Sequence, residues 1–161
     1  MVKIVTLGAY GFTEQSFRSA LIRSEADTFC DLRARRGMRG SRYAFANKAR
    51  LEQMLRELGI RYLHIPALAP SEQTRELQRR EDEKEGIAKR VREILSPAFI
   101  AAYDAERLKE FDSRKFLSEI GAGAHKVILF CVEKQPQACH RSLVAKRLHT
   151  DLAIEVEDIV P

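Results

Sequence analysis

Residues 127–133 read Val-Ile-Leu-Phe-Cys-Val-Glu, an unbroken apolar run of strand length ending in a carboxylate. It is rich in β-branched and aromatic side chains and has no polar alternation, the pattern of a strand buried on both faces of a parallel sheet. Pro136 marks a turn after it. From Ser142 onward Leu143, Val144 and Leu148 recur at helical spacing, with Lys146, Arg147 and His149 toward the end where positive charge suits a helix C-terminus. The local reading is strand, short loop, helix. Cys131, Glu133, Cys139, His140 and Arg141 sit on that loop and at its edges. In open α/β sheets such a loop lies beyond the carboxyl ends of the strands, where ligands bind.

The chain has 161 residues, enough for one domain with a real core. No apolar run is long enough to cross a bilayer, and Met1-Val2-Lys3-Ile4-Val5 reads as a first strand rather than a signal peptide. The expected location is the cytoplasm, where Cys30, Cys131 and Cys139 stay reduced. Three cysteines make a poor disulfide framework and point to thiol chemistry or a metal. The net charge of +5 leans toward anionic partners, but equally suits a solvated basic surface.

In order, Val2–Leu7 reads as the first strand, followed by the tight turn Gly8-Ala9-Tyr10-Gly11 and a helix capped by Thr13. The turn fits neither the dinucleotide fingerprint nor the Walker pattern. Gly11 lets a ligand approach the backbone, and Tyr10 stands at a strand's carboxyl end. Thr28–Arg33 reads as a short second strand. Asp31 and Arg33, two apart, face the same way, into one cleft or into a local ion pair. Cys30 reads as a buried small hydrophobe.

The basic loop 35–45 holds Arg35, Arg36, Arg39 and Arg42 with Tyr43 and Phe45. It suits closure over a small anion, or phosphate tracking with Tyr43 stacking on bases, extended by Lys48 and Arg50. A helix over Asn47–Leu58 ends at Gly59, and Ile60–Pro66 reads as the third strand, with His64 more typical of a structural residue than a ligand. Residues 71–95 are dense in mixed charge and read as an exposed helical insertion broken near Gly86, laced by near-neighbour ion pairs. Pro97 opens a further helix, and Asp112 or Ser113 caps another, ended by Gly121. Ala153–Val156 reads as a last strand. The alternation predicts one α/β domain over residues 1–161, a mostly parallel sheet with flanking helices in a Rossmann-like three-layer architecture. Nothing in the pattern specifies an oligomeric state.

Together these segments resemble the DUF488 family of uncharacterised bacterial and archaeal proteins. The resemblance is carried by Gly8-Ala9-Tyr10-Gly11, the Asp31/Arg33 pair, the basic run up to Phe45, the Gly59, Ile60, Tyr62, His64 and Pro66 segment, and the Cys131, Glu133, Cys139, His140, Arg141 motif. It covers nearly the whole chain apart from 71–95. Where it implies a His-Ile pair near the C-terminus, this chain has Asp158-Ile159. The resemblance implies fold and site location, not a reaction.

Three chemistries follow from the residues. Cys139 at a helix N-terminus, beside His140 and Arg141, suits a thiolate nucleophile. Glu133 or Asp31 would serve as acid or base, and Arg141, Arg33, Tyr10, Gly11 and Arg42 would bind a phosphate-bearing or nucleotide-like anion. That reading makes the protein an enzyme, a thiol-dependent hydrolase or transferase without a cofactor. The alternatives are a zinc or iron site on Cys131, Cys139 and His140, ranked lower because helix neighbours Cys139 and His140 are expected to diverge, and a nucleic-acid-binding module on residues 33–50.

Overall fold

The computed structural model describes residues 1–161. Five strands form one parallel sheet: β1 (Lys3–Leu7), β2 (Thr28–Asp31), β3 (Arg61–His64), β4 (Lys126–Phe130) and β5 (Val156–Ile159), in the order β3-β2-β4-β1-β5. The helices are α1 (Glu14–Ser24), α2 (Lys48–Glu57), α3 (Glu72–Glu85), α4 (Pro97–Tyr103), α5 (Ser113–Ile120) and α6 (His140–Leu152). The apolar run therefore becomes the central strand, hydrogen-bonded to β1 on one side and β2 on the other.

The pleat sorts its side chains into two cores. Ile128 and Phe130 join Phe17, Leu21, Leu51 and Leu55 of α1 and α2 on one face. Val127 and Leu129 join Phe99, Phe116, Val144 and Leu148 of α4, α5 and α6 on the other. Cys30 lies in this second core, fully buried. The chain first winds β1-β2-β3 toward one edge, then returns to insert β4 beside β1 and add β5 beyond it. With right-handed crossovers this reversal puts the helices on opposite faces. It also leaves a crevice at the carboxyl ends of β1, β2 and β4.

The expected caps at Thr13 and Asp112 are present, and Ser96 adds one ahead of Pro97. Thr13 accepts from the Ser16 amide, Ser96 from that of Phe99, and Asp112 from Arg114 and Lys115. The last strand differs from expectation. Helix α6 runs to Leu152, Ala153 takes a left-handed conformation at φ 54°, and the strand starts only at Val156. Asp158, where the resemblance leads one to expect His, accepts a 2.5 Å hydrogen bond from the Thr6 hydroxyl and so ties β5 to β1.

Residues 71–95 also differ from expectation. Helix α3 ends at Gly86 (φ 69°) as read, and Glu76 pairs with Arg79 and Arg80 on its exposed side. Its inner side is not solvated. Thr74, Gln78 and Asp82 are buried, and so is Arg92 beyond the turn. Gln78 receives the Ser96 amide at 2.8 Å and donates to Asp82 at 2.8 Å. The Leu95 amide donates to the Gln137 carbonyl at 3.0 Å. The segment is stitched onto the loop after β4. No helix is long and apolar enough to cross a membrane.

A candidate thiol site in a cationic cavity

The loop after β4 folds back through a single 3₁₀ turn, Pro136–Ala138, and delivers Cys139 to the N-cap position of α6 in extended conformation. This return brings together two sulfurs eight residues apart in sequence. The Cys131 and Cys139 sulfurs and a His140 ring nitrogen all lie within 4.8 Å of one another. Contrary to the expectation that Cys139 and His140 diverge, Cys139 Sγ stands 3.8 Å from His140 Nδ1. The imidazole is held from its far side: Nε2 lies 3.3 Å from the Leu32 carbonyl, and the Tyr103 ring packs 5.5 Å from it. A carbonyl only accepts, so Nε2 carries the proton in that bond and Nδ1 faces the sulfur.

Arg141 does not line the cavity that its neighbours Cys139 and His140 line. Its guanidinium is fully buried and donates to the carbonyls of Glu133 at 2.6 Å and Lys134 at 3.2 Å. Expected to bind an anion, Arg141 here braces the loop. Gly8 is part of the same clasp, since a Cβ there would lie 2.0 Å from the Glu133 carbonyl oxygen and 3.2 Å from Arg141 Nη1. The β1 turn closes on the loop through the amides of Ala9 and Tyr10, which both donate to Val132 O.

Asp31 is likewise spent on structure. It accepts from Arg33 Nε at 2.9 Å, Arg33 Nη2 at 2.8 Å and the Tyr62 hydroxyl at 2.8 Å. The pair lies at the buried edge of the crevice, and its remaining donor, Arg33 Nη1, is buried with no protein partner. His64 holds the Arg33 carbonyl at 2.7 Å, the structural role expected of it.

Arg33, Cys131, Glu133, Cys139 and His140 line a cavity of about 640 Å³, together with Tyr10. Its outer wall comes from the basic loop, through Arg35 and Arg39, and from the charged segment, through Lys89, Arg90 and Arg92. The last three were not among the expected site residues. Arg92 donates to Asp82 at 2.6 Å and to Glu133 Oε1 at 3.3 Å, and Lys89 stands 3.6 Å from the same oxygen. Nothing in the sequence separates Arg92 from the exposed Arg79 or Arg80. Glu133 Oε2 is buried without a partner.

Of the remaining expected residues, Gly11 and Arg42 lie outside this cavity, in a smaller adjoining depression of about 330 Å³ that also includes Tyr10 and Arg90. Gly11 has φ 89° and donates its amide to the Tyr43 hydroxyl. Tyr43, expected to stack on bases, is buried, with Arg42 and Arg90 over its ring. Arg50 pairs with Glu14.

The electrostatics separate the two thiols. Burial disfavours a Cys139 thiolate, but the Cys131 thiol beside it, His140 and Arg141 outweigh burial and hold Cys139 well below its ordinary value. Cys131 is displaced the other way, by its proximity to Cys139 and by burial. Burial and the Cys139 charge push the Glu133 carboxyl up, against Lys89 and Arg92. Cys30, away from the cavity, is pushed up by burial to about 12. The donor set Cys131, Cys139 and His140 is also one that could hold zinc or iron.

A family model described as "Domain of unknown function DUF488" matches residues 14–148. Comparison with curated proteins and with solved structures returned no match.

Proposed function

The chain belongs to the DUF488 family, and from that premise we propose that it is a thiol-dependent enzyme acting on a small anionic, phosphate-bearing or nucleotide-like substrate. The observation that carries this reading is Cys139 Sγ, 3.8 Å from a His140 ring whose other nitrogen is fixed on Leu32, at the wall of a cavity rich in arginine. The His140 ring takes the thiol proton through Nδ1, and Cys139 attacks the electrophilic centre. Glu133, whose carboxyl burial and the Cys139 charge push upward, gives a proton to the leaving oxygen. Water or an acceptor then takes the group from sulfur.

The anion is held by Arg33 Nη1, which has no protein partner, and by Arg35, Arg39 and Arg90. Asp31 and Arg141 act at one remove, fixing Arg33 and the loop. Alkylation with iodoacetamide at mildly acidic pH tests the reading. The wild-type protein is modified at Cys139, and Cys139→Ser abolishes the reaction with the fold intact. Modification that persists unchanged in that variant removes Cys139 as the activated thiol.

One observation favours a second reading, the gathering of Cys131, Cys139 and His140 within 4.8 Å. Such a set would hold zinc or iron with a coordination position left for water or substrate. Metal analysis of protein purified without chelator separates the two readings, because an equimolar ion occupies the sulfur that the first requires free. The nucleic-acid reading loses its stacking side chain to the core at Tyr43.

A further inference from the structure

The thiolate reading uses one sulfur and leaves Cys131 without a task. A lone buried cysteine at the end of a core strand needs none, but Cys131 lines the same cavity as Cys139, and the two sulfurs lie within 4.8 Å. A disulfide requires a separation of about 2 Å, so side-chain rotation need close less than about 3 Å. The third cysteine cannot take part, since Cys30 belongs to the core on the opposite face of the sheet. The fold therefore presents one pair of thiols in one cavity.

We propose that this pair gives the site a second activity, the two-electron reduction of small hydroperoxides, with Cys139 as the attacking sulfur and Cys131 as the resolving one. The proposal rests on the thiolate reading of Cys139 and extends it to a different electrophile. In the first step the Cys139 thiolate attacks the outer oxygen of ROOH. The S–O bond forms, the O–O bond breaks, and the alkoxide takes the proton that left the Cys139 thiol, relayed by His140 Nδ1, to leave as ROH. Sulfur is oxidised to sulfenic acid as the peroxide is reduced.

In the second step Cys131 attacks the Cys139 sulfur. The S–S bond forms and the S–O bond breaks, and the departing hydroxide takes the Cys131 proton and leaves as water. An external dithiol returns the pair to its reduced state, becoming a disulfide itself. His140 suits Cys139 rather than Cys131 for the first role, because its Nδ1 faces Cys139 at 3.8 Å.

The test treats the full chain with hydrogen peroxide and analyses it by intact mass and by non-reducing peptide mapping. The expected product has lost two hydrogen masses and contains a Cys131–Cys139 peptide link. Thiol titration after denaturation then falls from three groups to one, and dithiothreitol restores all three. In Cys131→Ser, and in Cys131→Ala should the serine variant fail to fold, dimedone traps a sulfenic acid on Cys139.

Wild-type protein that gains oxygen on Cys139 and keeps Cys131 free overturns the proposal, as does an equimolar metal on both sulfurs. If Cys139 is still alkylated at mildly acidic pH when no disulfide forms, only the second activity has failed. If Cys139 resists both reagents, the thiolate reading has failed with it.

Discussion

Arg92 Nη2 lies 3.3 Å from Glu133 Oε1, and through this contact a segment that looks like a solvated arm forms one wall of the candidate site. The same guanidinium reaches Asp82 and the Ala138 carbonyl, so one side chain ties α3 to the loop after β4. Both carboxylates it serves are buried.

Removing that guanidinium leaves two acidic groups without their principal partner. Arg92→Ala is expected to cost about 3–5 kcal/mol, the range for breaking a buried ion pair from one side, here the one with Asp82. The loss should be visible as a lower denaturant midpoint. It should also appear as new protease cleavage between residues 86 and 95, since that stretch loses its anchor. Unchanged stability would mean that the contacts of Arg92 with Asp82, Glu133 and the Ala138 carbonyl contribute nothing net.

Arg141 predicts a different signature. Both of its contacts are to backbone carbonyls on the loop, and its side chain is sealed from the cavity. Arg141→Lys keeps the charge but reaches fewer carbonyls, with an expected loss of about 1–3 kcal/mol for the unsatisfied groups. Anion affinity should change little beyond what the lost stability explains. Isothermal titration with inorganic phosphate, beside urea unfolding, checks this: weaker binding at full stability would return Arg141 to the role of a ligand.

Much of the fold was legible because its signals are local. The apolar run at 127–132, the caps at Thr13 and Asp112, and the glycines after α2, α3 and α5 each act within a few residues. The site was legible only in outline. That Cys131 and Cys139 converge depends on how the loop doubles back through Pro136–Ala138, which spacing alone does not give. Residues 71–95 were misread because Gln78, Asp82 and Arg92 are chemically the same as their exposed neighbours, and their burial is decided by partners far away in the chain. Tyr43, a stacking side chain in one of the alternatives, is a buried ring that receives the Gly11 amide, and its arginine-rich context gives no sign of it.

Gly8 is where two functional loops touch, and the contact leaves no room for a side chain. A methyl group would sit 2.0 Å from the Glu133 carbonyl, an oxygen already held by Arg141. The clash is with backbone, so relief requires moving the loop that carries Glu133. Gly8→Ala is expected to destabilise by about 1–3 kcal/mol, the usual cost of overpacking, or more. The rate of Cys139 alkylation should fall as well, because the loop shift displaces Cys139 from His140. A thermal melt and the alkylation rate, measured on the same preparation, check both halves.

The opposed displacements of the site's acids give a pH signature centred on Cys139. A free thiol titrates near 9.0, and Cys139 is held well below that in the folded protein. Between those values the unfolded chain binds a proton that the folded one does not, so stability rises with pH and the gain is lost as pH falls through the folded value. Glu133 has the opposite sign: raised above its ordinary 4.5, it favours the folded state least once pH has climbed past its folded value. Cys131, raised above 9.0, acts only on the alkaline side of that value. The stability difference between wild type and Cys139→Ser should therefore widen from neutral pH up to about 9.0 and then stop widening. Urea unfolding of both proteins across that range reads it directly, and a difference that stays flat would mean that Cys139 keeps its proton in the folded state.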